Sequence, residues 1–407
     1  MIELFGREYS HHKGYREATH RTRSPRDTVA DYSRFMPQMG ITRLANVTGL
    51  DRIGIPVYTA MRPNSKSLAT SQGKGFDNDS AKASALMESI ECWHAENIEH
   101  PLRYDSYRNL RERATVADIT RIPVRADRTL KLKESRLWIE GWDLLGRQPM
   151  WVPFDSVTMN MVFPSGYKPD FCVSSNGLAS GNHILEAMEH ALCEVIERDA
   201  DALWRADDEL AQLDLDTVTN PYCRFVIDHL EAAGIRITVW DMTSDTRIPT
   251  YICTIVEKPD RLNWRSMQAY FGSGTHLSPG VALMRAVTEA VQSRLTYISG
   301  SRDEFLYDDY ALSENWEYLE QVWAESSAGT SVAYFGDHAD LATDSFEGDV
   351  EVLLGALRRI GIQSAVVVDL AKPEIGIPVV KLVVPGLEIG AGANCSPGTR
   401  LQARIAA

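Results

Sequence analysis

Three segments of the chain share one pattern of apolar and polar positions. In each segment apolar residues recur at every third or fourth position, which is typical of a largely buried helix. The segments are ALMESIECWHAE from Ala85, EAMEHALCEVIERDA from Glu186 and ALMRAVTEAVQSRL from Ala282. Each follows a glycine-bearing stretch: SQGKG at 71–75, SSNGLASG at 174–181 and GSGTHLSPG at 272–280. The pattern predicts three glycine-led helices, each entered from a turn.

A second repeat combines a Gly-Ile pair, a strand-like apolar run, a proline and a second strand-like run. Its three copies occupy 39–60, 233–257 and 360–384. The glycines at 40, 234 and 361 follow helical patterns, as C-cap glycines do. The prolines at 56, 249 and 378 precede the second run, where a missing amide hydrogen is tolerated. Together the two repeats predict an α/β (α+β) fold built from helix–strand–strand units and three buried helices.

Two segments break this pattern. Residues 100–170 contain the strand-like runs WIEGWDLL and MWVPFDSV, and residues 302–350 are acidic and helical in pattern. We expect both to be insertions into a single domain spanning 26–407, preceded by an N-terminal extension at 1–25.

Composition narrows the classes of function. The chain has 407 residues, 44% of them hydrophobic, and a net charge of −14. The acidic balance, with no basic stripe, disfavours nucleic acid as a partner. The sequence contains no apolar run of about 18 residues, so it predicts no membrane span. The polar N-terminus has no apolar core of the kind a signal peptide needs. The six scattered cysteines, without a C-x-x-C pair, favour reduced thiols in a cytoplasmic protein over a disulfide framework or a zinc site.

Helical spacing places charged side chains together on the three predicted helices. Residues three, four and seven apart share a face. The shared faces are Ser84, Glu88 and Glu91 on the first helix, His190, Glu194, Glu197 and Arg198 on the second, and Arg285, Glu289 and Gln292 on the third. Buried carboxylates need a positive partner, and Mg²⁺ commonly joins carboxylates to substrate phosphates. An E-x-x-E pair is also common on solvated helices, but two pairs at equivalent repeat positions favour a metal site.

No other catalytic signature competes with this arrangement. The sequence lacks G-x-S-x-G, H-E-x-x-H and a G-x-G-x-x-G between strand and helix. SQGKG also differs from the Walker pattern G-x-x-x-x-G-K-S/T. A Cys–His nucleophile stays open, since nothing favours one cysteine over another.

Taken in order, these motifs resemble the YcaO family. The resemblance rests on SQGKG…ALMESIE, SNGLASG…EVIERDA, GSGTH…AVTEAVQSR…GSRDE and IGIPVVKLVVPGLE, which cover most of the chain. It implies a YcaO-like fold with a non-Walker ATP and Mg²⁺ site. It also assigns roles: Glu88, Glu91, Glu194 and Glu197 to magnesium; Arg198 and Arg302 to catalysis; and Arg21, Thr28, Lys74, Ser84, Gln292 and Arg302 to the nucleotide.

The resemblance further implies phosphorylation of a peptide backbone amide. A side-chain nucleophile of the peptide would then give an azoline, and external sulfide a thioamide. The chain ends SPGTRLQARIAA, without the P-x-P-x-P tail of many azoline-forming members, and Cys92 replaces an arginine found in many members. The run from Gly40 to Gly75 is most similar to members encoded beside TfuA-type proteins, which are tied to thioamides.

These features favour thioamidation of a ribosomally made precursor peptide. No winged-helix peptide-binding domain is recognisable at the N-terminus, so the sequence favours a TfuA-like partner or direct peptide recognition. An azoline-forming cyclodehydratase and a non-catalytic docking subunit are the alternatives. A homodimer is the base expectation for an enzyme of this size.

Overall fold

The computed structural model describes residues 1–206, 211–259, 267–302, 305–311, 315–326, 331–390 and 394–406. The helices are α1 Pro25–Tyr32, α2 Asn78–Glu96, α3 Tyr107–Leu110, α4 Ile184–Trp204, α5 Pro221–Ala232, α6 Pro279–Ser299, α7 Tyr307–Ala311, α8 Trp316–Glu325, α9 Phe346–Arg359 and α10 Thr399–Ile405. The strands are β1 Ile2–Leu4, β2 Arg7–Tyr9, β3 Arg43–Asn46, β4 Val57–Met61, β5 Thr70–Lys74, β6 Leu102–Ser106, β7 Ser135–Asp143, β8 Gln148–Pro153, β9 Leu178–Ser180, β10 Ala211–Asp214, β11 Ile235–Asp241, β12 Thr250–Glu257, β13 Tyr270–Thr275, β14 Ser331–Tyr334, β15 Val366–Asp369 and β16 Val379–Val383. The predicted mixed helix and sheet class is therefore confirmed.

Antiparallel strand pairs occupy the three copies of the Gly-Ile repeat. They are β3–β4, β11–β12 and β15–β16. The glycines at 40, 234 and 361 have φ values of +69°, +73° and +81°, the left-handed region that a C-cap glycine adopts without strain. The prolines at 56, 249 and 378 each stand directly before the second strand of a pair. This repeat is confirmed in all three copies.

The glycine-bearing stretches form the third strand of each unit. SQGK lies in β5, GSGT lies in β13, and LAS of the second stretch is β9. β5 pairs antiparallel with β4, β13 with β12, and β9 with β16. The prediction of turns at SQGKG and GSGTH is therefore wrong, because these residues are needed as strands that lead into the buried helices.

Each third strand leads into one of the buried helices: β5 into α2, β9 into α4 and β13 into α6. In the third unit β9 and α4 precede α9, β15 and β16 in the chain, so that unit is permuted. The two repeats seen in the sequence are thus parts of a single unit.

Glycine is required in these strands by close contact between strand and helix. A Cβ atom on Gly73 would overlap the backbone of Ala81 and Ala85 in α2. A Cβ atom on Gly272 would overlap the backbone of Ala286 and Ala290 in α6. Small residues on both surfaces let each helix lie directly on its strand, and this fixes where the helix presents its polar face.

The segments outside the repeat extend two of the sheets. β6, β7 and β8 from the 100–170 segment continue the third unit in a sheet of order β6-β7-β15-β16-β9, with β8 paired to β7. β10 and β14 continue the second unit in the order β13-β12-β11-β10-β14. The 302–350 segment contributes α7, α8 and β14, while Asp303 and Glu304 of the GSRDE motif lie outside the described residues.

The structure brings two cysteines together that the sequence pattern did not pair. Cys172 and Cys395, separated by 223 residues, have Cα atoms 6.4 Å apart, within the range that allows a disulfide. Cys92, Cys193, Cys223 and Cys253 are free.

None of the helices in the described part of the chain combines the length and the apolar character that a membrane crossing needs.

Candidate functional site

Two carboxylates of the site come from α2. Glu88 is exposed to solvent, and Glu91 is half-buried one turn further along. Glu91 accepts hydrogen bonds from the amide of Ser180 at 2.8 Å and from its hydroxyl at 2.6 Å. Since Ser180 ends β9, this contact ties the first unit to the third and aims α2 at the start of α4.

The other two carboxylates come from α4 and differ in environment. Glu194 is half-buried, whereas Glu197 is only 1% exposed. Glu197 accepts hydrogen bonds from the Ser273 hydroxyl at 2.8 Å and the Thr275 amide at 2.9 Å, both in β13. Glu197 therefore also links the second and third units, which makes its side chain structural as well as a candidate ligand.

The carboxyl groups raise one another's proton affinity. Desolvation by the surrounding protein atoms, the largest cause, raises the pKa of Glu88 to about 7, that of Glu91 to about 8 and that of Glu194 to about 7. Glu194 is a further cause of the rise for both Glu88 and Glu91. Carboxyl groups from two helices thus form one region of negative potential. The hydrogen bonds from Ser180 partly offset the rise in the pKa of Glu91.

Such a set fits a hard divalent cation, because Mg²⁺ takes carboxylate oxygens and would relieve the repulsion between them. Within the described ranges, no group of three or more His, Cys, Asp or Glu side chains is close enough to hold a metal ion by itself. The fit to a cation therefore rests on the type of donor, carboxylate oxygen, and on the charge of the set.

Basic side chains surround the carboxylates. Lys74 at the end of β5 forms an ion pair of 2.5 Å with Glu289 of α6. Arg198 follows Glu197, with 3.7 Å between the guanidinium and the carboxylate. Burial alone would lower the pKa of Arg198, but Glu197, Glu289 and Glu194 raise it above its ordinary value. Arg302 lies near enough to Glu88 to lower that group's pKa. Acidic and basic side chains therefore lie next to one another in the site, an arrangement that suits a metal ion bound together with phosphate.

The N-terminal candidates lie at the start of α4. The Thr28 hydroxyl donates to the Asn182 Oδ1 atom at 3.0 Å, and the Arg21 guanidinium lies 3.7 Å from Glu186. Glu186 precedes Glu194 by two helical turns, about 12 Å along the axis. An elongated ligand such as a nucleotide would be needed to contact both ends of this surface.

Ser84 and Gln292 occupy different positions. Ser84 lies on α2, one turn before Glu88, and is half-buried. The Gln292 side-chain amide donates to the Gln72 carbonyl of β5 at 2.8 Å, so it holds β5 against α6. The structure gives Gln292 a positioning contact, and its assignment to the nucleotide stays a prediction.

The sequence patterns do not predict a role for several residues of the site. They predict the helix face of Glu289 but not its ion pair with Lys74. Asn182, Glu186 and Lys381 were not singled out, although Lys381 is 2% exposed and its pKa is lowered by burial to about 8, with Glu194 opposing the shift. The signal for Lys381 was a lysine inside the apolar run IPVVKLVV, a position that rarely carries a charge.

Comparison with known sequences identifies the family. Residues 72–388 match the model of the YcaO cyclodehydratase family, described as ATP- and Mg²⁺-binding. An uncharacterised protein of Methanothermobacter thermautotrophicus is 32% identical over 94% of this chain and 98% of its own length. An uncharacterised protein from the tfuA 3′ region of Rhizobium leguminosarum bv. trifolii is 34% identical over 90% of this chain and 88% of its own.

Solved structures agree in fold. YcaO from Methanopyrus kandleri, bound with AMPPCP and Mg²⁺, superposes with a TM-score of 0.71 and 22% identity over 92% of this chain and 94% of that one. A heterocyclase in complex with substrate and cofactor gives a TM-score of 0.77 at 22% identity, over 96% of this chain but only 56% of the heterocyclase. The chain belongs to the YcaO family of ATP- and Mg²⁺-binding cyclodehydratases.

Proposed function

We propose that this enzyme uses ATP to phosphorylate a backbone amide oxygen of a ribosomally made peptide, and that sulfur replaces this oxygen to give a thioamide. A TfuA-like protein acts as the partner that supplies sulfur. An amide oxygen is a poor leaving group, and phosphorylation converts it into a good one. The observation that carries the proposal is the electrostatic effect of Glu194 on Glu88 and Glu91, together with that of Arg198 on Glu194, since acidic groups beside an arginine suit a metal ion bound with phosphate.

The acidic and the basic residues of the site have different roles. Glu88, Glu91, Glu194 and Glu197 would hold magnesium, which neutralises phosphate charge when bound. Arg198 and Arg302 act as catalytic residues by donating hydrogen bonds to the phosphoryl oxygens. Lys74, held by Glu289, keeps a positive charge at the end of β5.

Arg21 and Thr28 would contact the nucleotide at the start of α4, where they lie against Glu186 and Asn182. Ser84, one turn before Glu88 on α2, would contact it as well.

One observation favours a thioamide over an azoline: a relative 34% identical lies in a tfuA 3′ region. The second candidate is azoline formation, which the heterocyclase likeness favours. The two differ in the nucleophile, because an azoline uses a Cys, Ser or Thr of the peptide itself.

Intact-mass spectrometry of a precursor peptide from the same gene neighbourhood tests the proposal. The peptide is incubated with the enzyme, ATP, Mg²⁺ and sulfide, with and without the TfuA-like protein. We expect an ATP-dependent gain equal to the mass difference between sulfur and oxygen. Loss of one water in the absence of sulfide would replace thioamidation by azoline formation.

A matched variant separates chemistry from folding. Glu194→Gln keeps the shape of the side chain and removes its charge, so we expect peptide modification and ATP turnover to fall by about 100-fold or more. Thermal unfolding should remain cooperative in this variant. Glu197→Ala is a weaker test, because it also removes the contacts with Ser273 and Thr275. Full turnover in Glu194→Gln would contradict the metal assignment.

A further inference from the structure

A small cavity lies against α4 and β16, next to the carboxylate cluster. Its walls include Cys172, Asn176, Val195, Lys381 and Glu388. Val195 directly follows Glu194, and a Cβ atom added to Gly390, two residues beyond Glu388, would lie 3.3 Å from the Arg198 Cδ atom. The cavity offers about 50 Å³ for the centres of water-sized groups, whereas one water needs about 10–15 Å³. It therefore has room for a small group of a few heavy atoms.

The polar groups of the cavity suit a sulfur anion or hydropersulfide. The Lys381 ammonium donates one hydrogen bond to the Ser174 carbonyl, and an ammonium group has three donors. The Asn176 Oδ1 atom is buried and has no hydrogen-bond partner within the described part of the chain. The Lys381 ammonium can donate further hydrogen bonds, and the Asn176 Oδ1 atom can accept one. Together they suit a small, negatively charged group that donates one hydrogen bond.

The cavity also contains one member of a cysteine pair. Cys172 lines it, and Cys395 lies on the neighbouring C-terminal segment, with Cα atoms 6.4 Å apart, within the range that allows a disulfide. Both residues are partly accessible to solvent. Burial instead raises the pKa of Cys92 and of Cys223 to about 12, which suppresses their thiolate forms. Cys172 is thus positioned for sulfur chemistry at the cavity.

The C-terminal segment does not depend on this disulfide for its position. Arg400 forms a 2.9 Å ion pair with the buried carboxylate of Asp199 on α4. Glu388 accepts hydrogen bonds from the amides of Gly398 at 2.7 Å and Leu401 at 3.0 Å. Cys395 therefore remains beside Cys172 when both thiols are reduced.

We propose that Cys172 carries a sulfane sulfur in this cavity and delivers it to the activated amide, with Cys395 as the resolving thiol. The delivery step rests on the proposed thioamidation, whereas loading of Cys172 and resolution by Cys395 do not. The sulfur source is a protein or small-molecule hydropersulfide, and a dithiol reductant restores the pair after each turnover.

The steps balance in atoms and electrons. A hydropersulfide donor transfers its outer sulfur to Cys172 and leaves as a thiol. The outer sulfur of the Cys172 hydropersulfide then bonds to the amide carbon, and the amide oxygen, carrying the γ-phosphoryl group of ATP, leaves as phosphate. Cys395 attacks the Cys172 sulfur and breaks the sulfur–sulfur bond, which releases the thioamide. The two thiol protons pass to phosphate and solvent, and the Cys172–Cys395 disulfide is the oxidised product.

Trapping the sulfur tests the proposal without a peptide. Enzyme reduced with a dithiol and desalted is treated with a limiting amount of polysulfide labelled with a heavy sulfur isotope, and its peptides are analysed by mass spectrometry. We expect Cys395→Ser to retain one labelled sulfur on Cys172. Wild type should release labelled hydrosulfide and form the Cys172–Cys395 disulfide. Cys172→Ser should retain several-fold less label, and Cys253→Ala should behave as wild type.

A second arm adds a peptide and separates the two proposals. Loaded Cys395→Ser, given ATP, Mg²⁺ and the precursor peptide without free sulfide, should become joined to the peptide through the labelled sulfur, and an added dithiol should then release a thioamide that carries the label. A product from free sulfide but not from the loaded enzyme would leave thioamidation standing and overturn delivery by Cys172. Trapping on Cys172 without any thioamide would retain the sulfur site and contradict the proposed function. Equal retention of labelled sulfur by Cys172→Ser and Cys395→Ser, or no label on Cys172, would contradict the proposal and leave the pair as a structural disulfide.

Discussion

At the scale of single residues, the carboxyl groups of the site make stability depend on pH. The pKa values of Glu91 and Glu194 are raised to about 8 and about 7 from an ordinary value of 4.5. The folded protein therefore binds more protons than the unfolded chain between these values, and its stability falls as pH rises from about 4.5 to about 8. We expect the metal-free protein to have a lower melting temperature at pH 8 than at pH 6.

Magnesium should offset this loss, because a bound cation stabilises the ionised carboxylates. The increase in melting temperature on adding Mg²⁺ should be larger at pH 8 than at pH 6, and Glu194→Gln should reduce both the pH dependence and the effect of the metal. Differential scanning fluorimetry at several pH values measures this. A pH profile that is the same with and without Mg²⁺ would contradict the assignment of these carboxylates to a metal.

The sequence indicates which residues carry charge but not which residues they meet. Glu88, Glu91, Glu194 and Glu197 follow from helical spacing, which is a local property. The ion pair of Lys74 with Glu289 joins residues 215 positions apart, and Glu91 meets Ser180 across 89 positions. Such contacts depend on how the three units pack, so local patterns cannot predict them.

At the scale of elements, the packing of strand on helix predicts a large effect of one methyl group. Gly272→Ala would place a Cβ atom against the backbone of Ala286 and Ala290, where no flexible side chain can yield. We expect a loss of about 1–3 kcal/mol in the free energy of unfolding, as for other overpacked sites. Chemical denaturation monitored by circular dichroism measures the change.

Gly355 provides the matched control. It lies within α9, and a Cβ atom there would contact nothing within 4 Å. Gly355→Ala should stabilise the protein by up to about 1 kcal/mol, because alanine is the better helix former. Equal effects of the two substitutions would contradict the view that close packing selects glycine in β13.

The same packing explains why the glycine-bearing stretches were predicted as turns. Glycine disfavours strands by local propensity, and SQGKG and GSGTH contain it at alternate positions. In the structure those positions face the buried helix, so the need for a small residue outweighs propensity. The Gly-Ile repeats were predicted correctly, because there a left-handed glycine, a proline and two apolar runs agree with one another.

At the scale of the whole molecule, the site belongs to all three units. α2, α4 and α6 contribute Glu88, Glu194 and Glu289 respectively, and each helix is entered from the third strand of its unit. The sequence revealed both repeats, but the permuted order of the third unit concealed that they form one structural unit. A site shared in this way should couple ligand binding to the stability of the entire fold.

Nucleotide binding provides the corresponding test, and it also distinguishes an enzyme from a docking subunit. In the proposed site AMPPCP with Mg²⁺ would contact several units of the folded state and none of the unfolded chain. At about 100 times its Kd it should add about 2.7 kcal/mol to the free energy of unfolding, with each component alone giving less. Calorimetric unfolding scans measure this, with Glu194→Gln expected to lose most of the gain. Arg224→Ala, which removes ion pairs with Asp228 and Glu231 on α5 and a hydrogen bond to the Leu215 carbonyl, should keep it. An unchanged unfolding temperature in wild type at saturating AMPPCP and Mg²⁺ would favour the docking role, because a protein that does not bind nucleotide gains nothing from it.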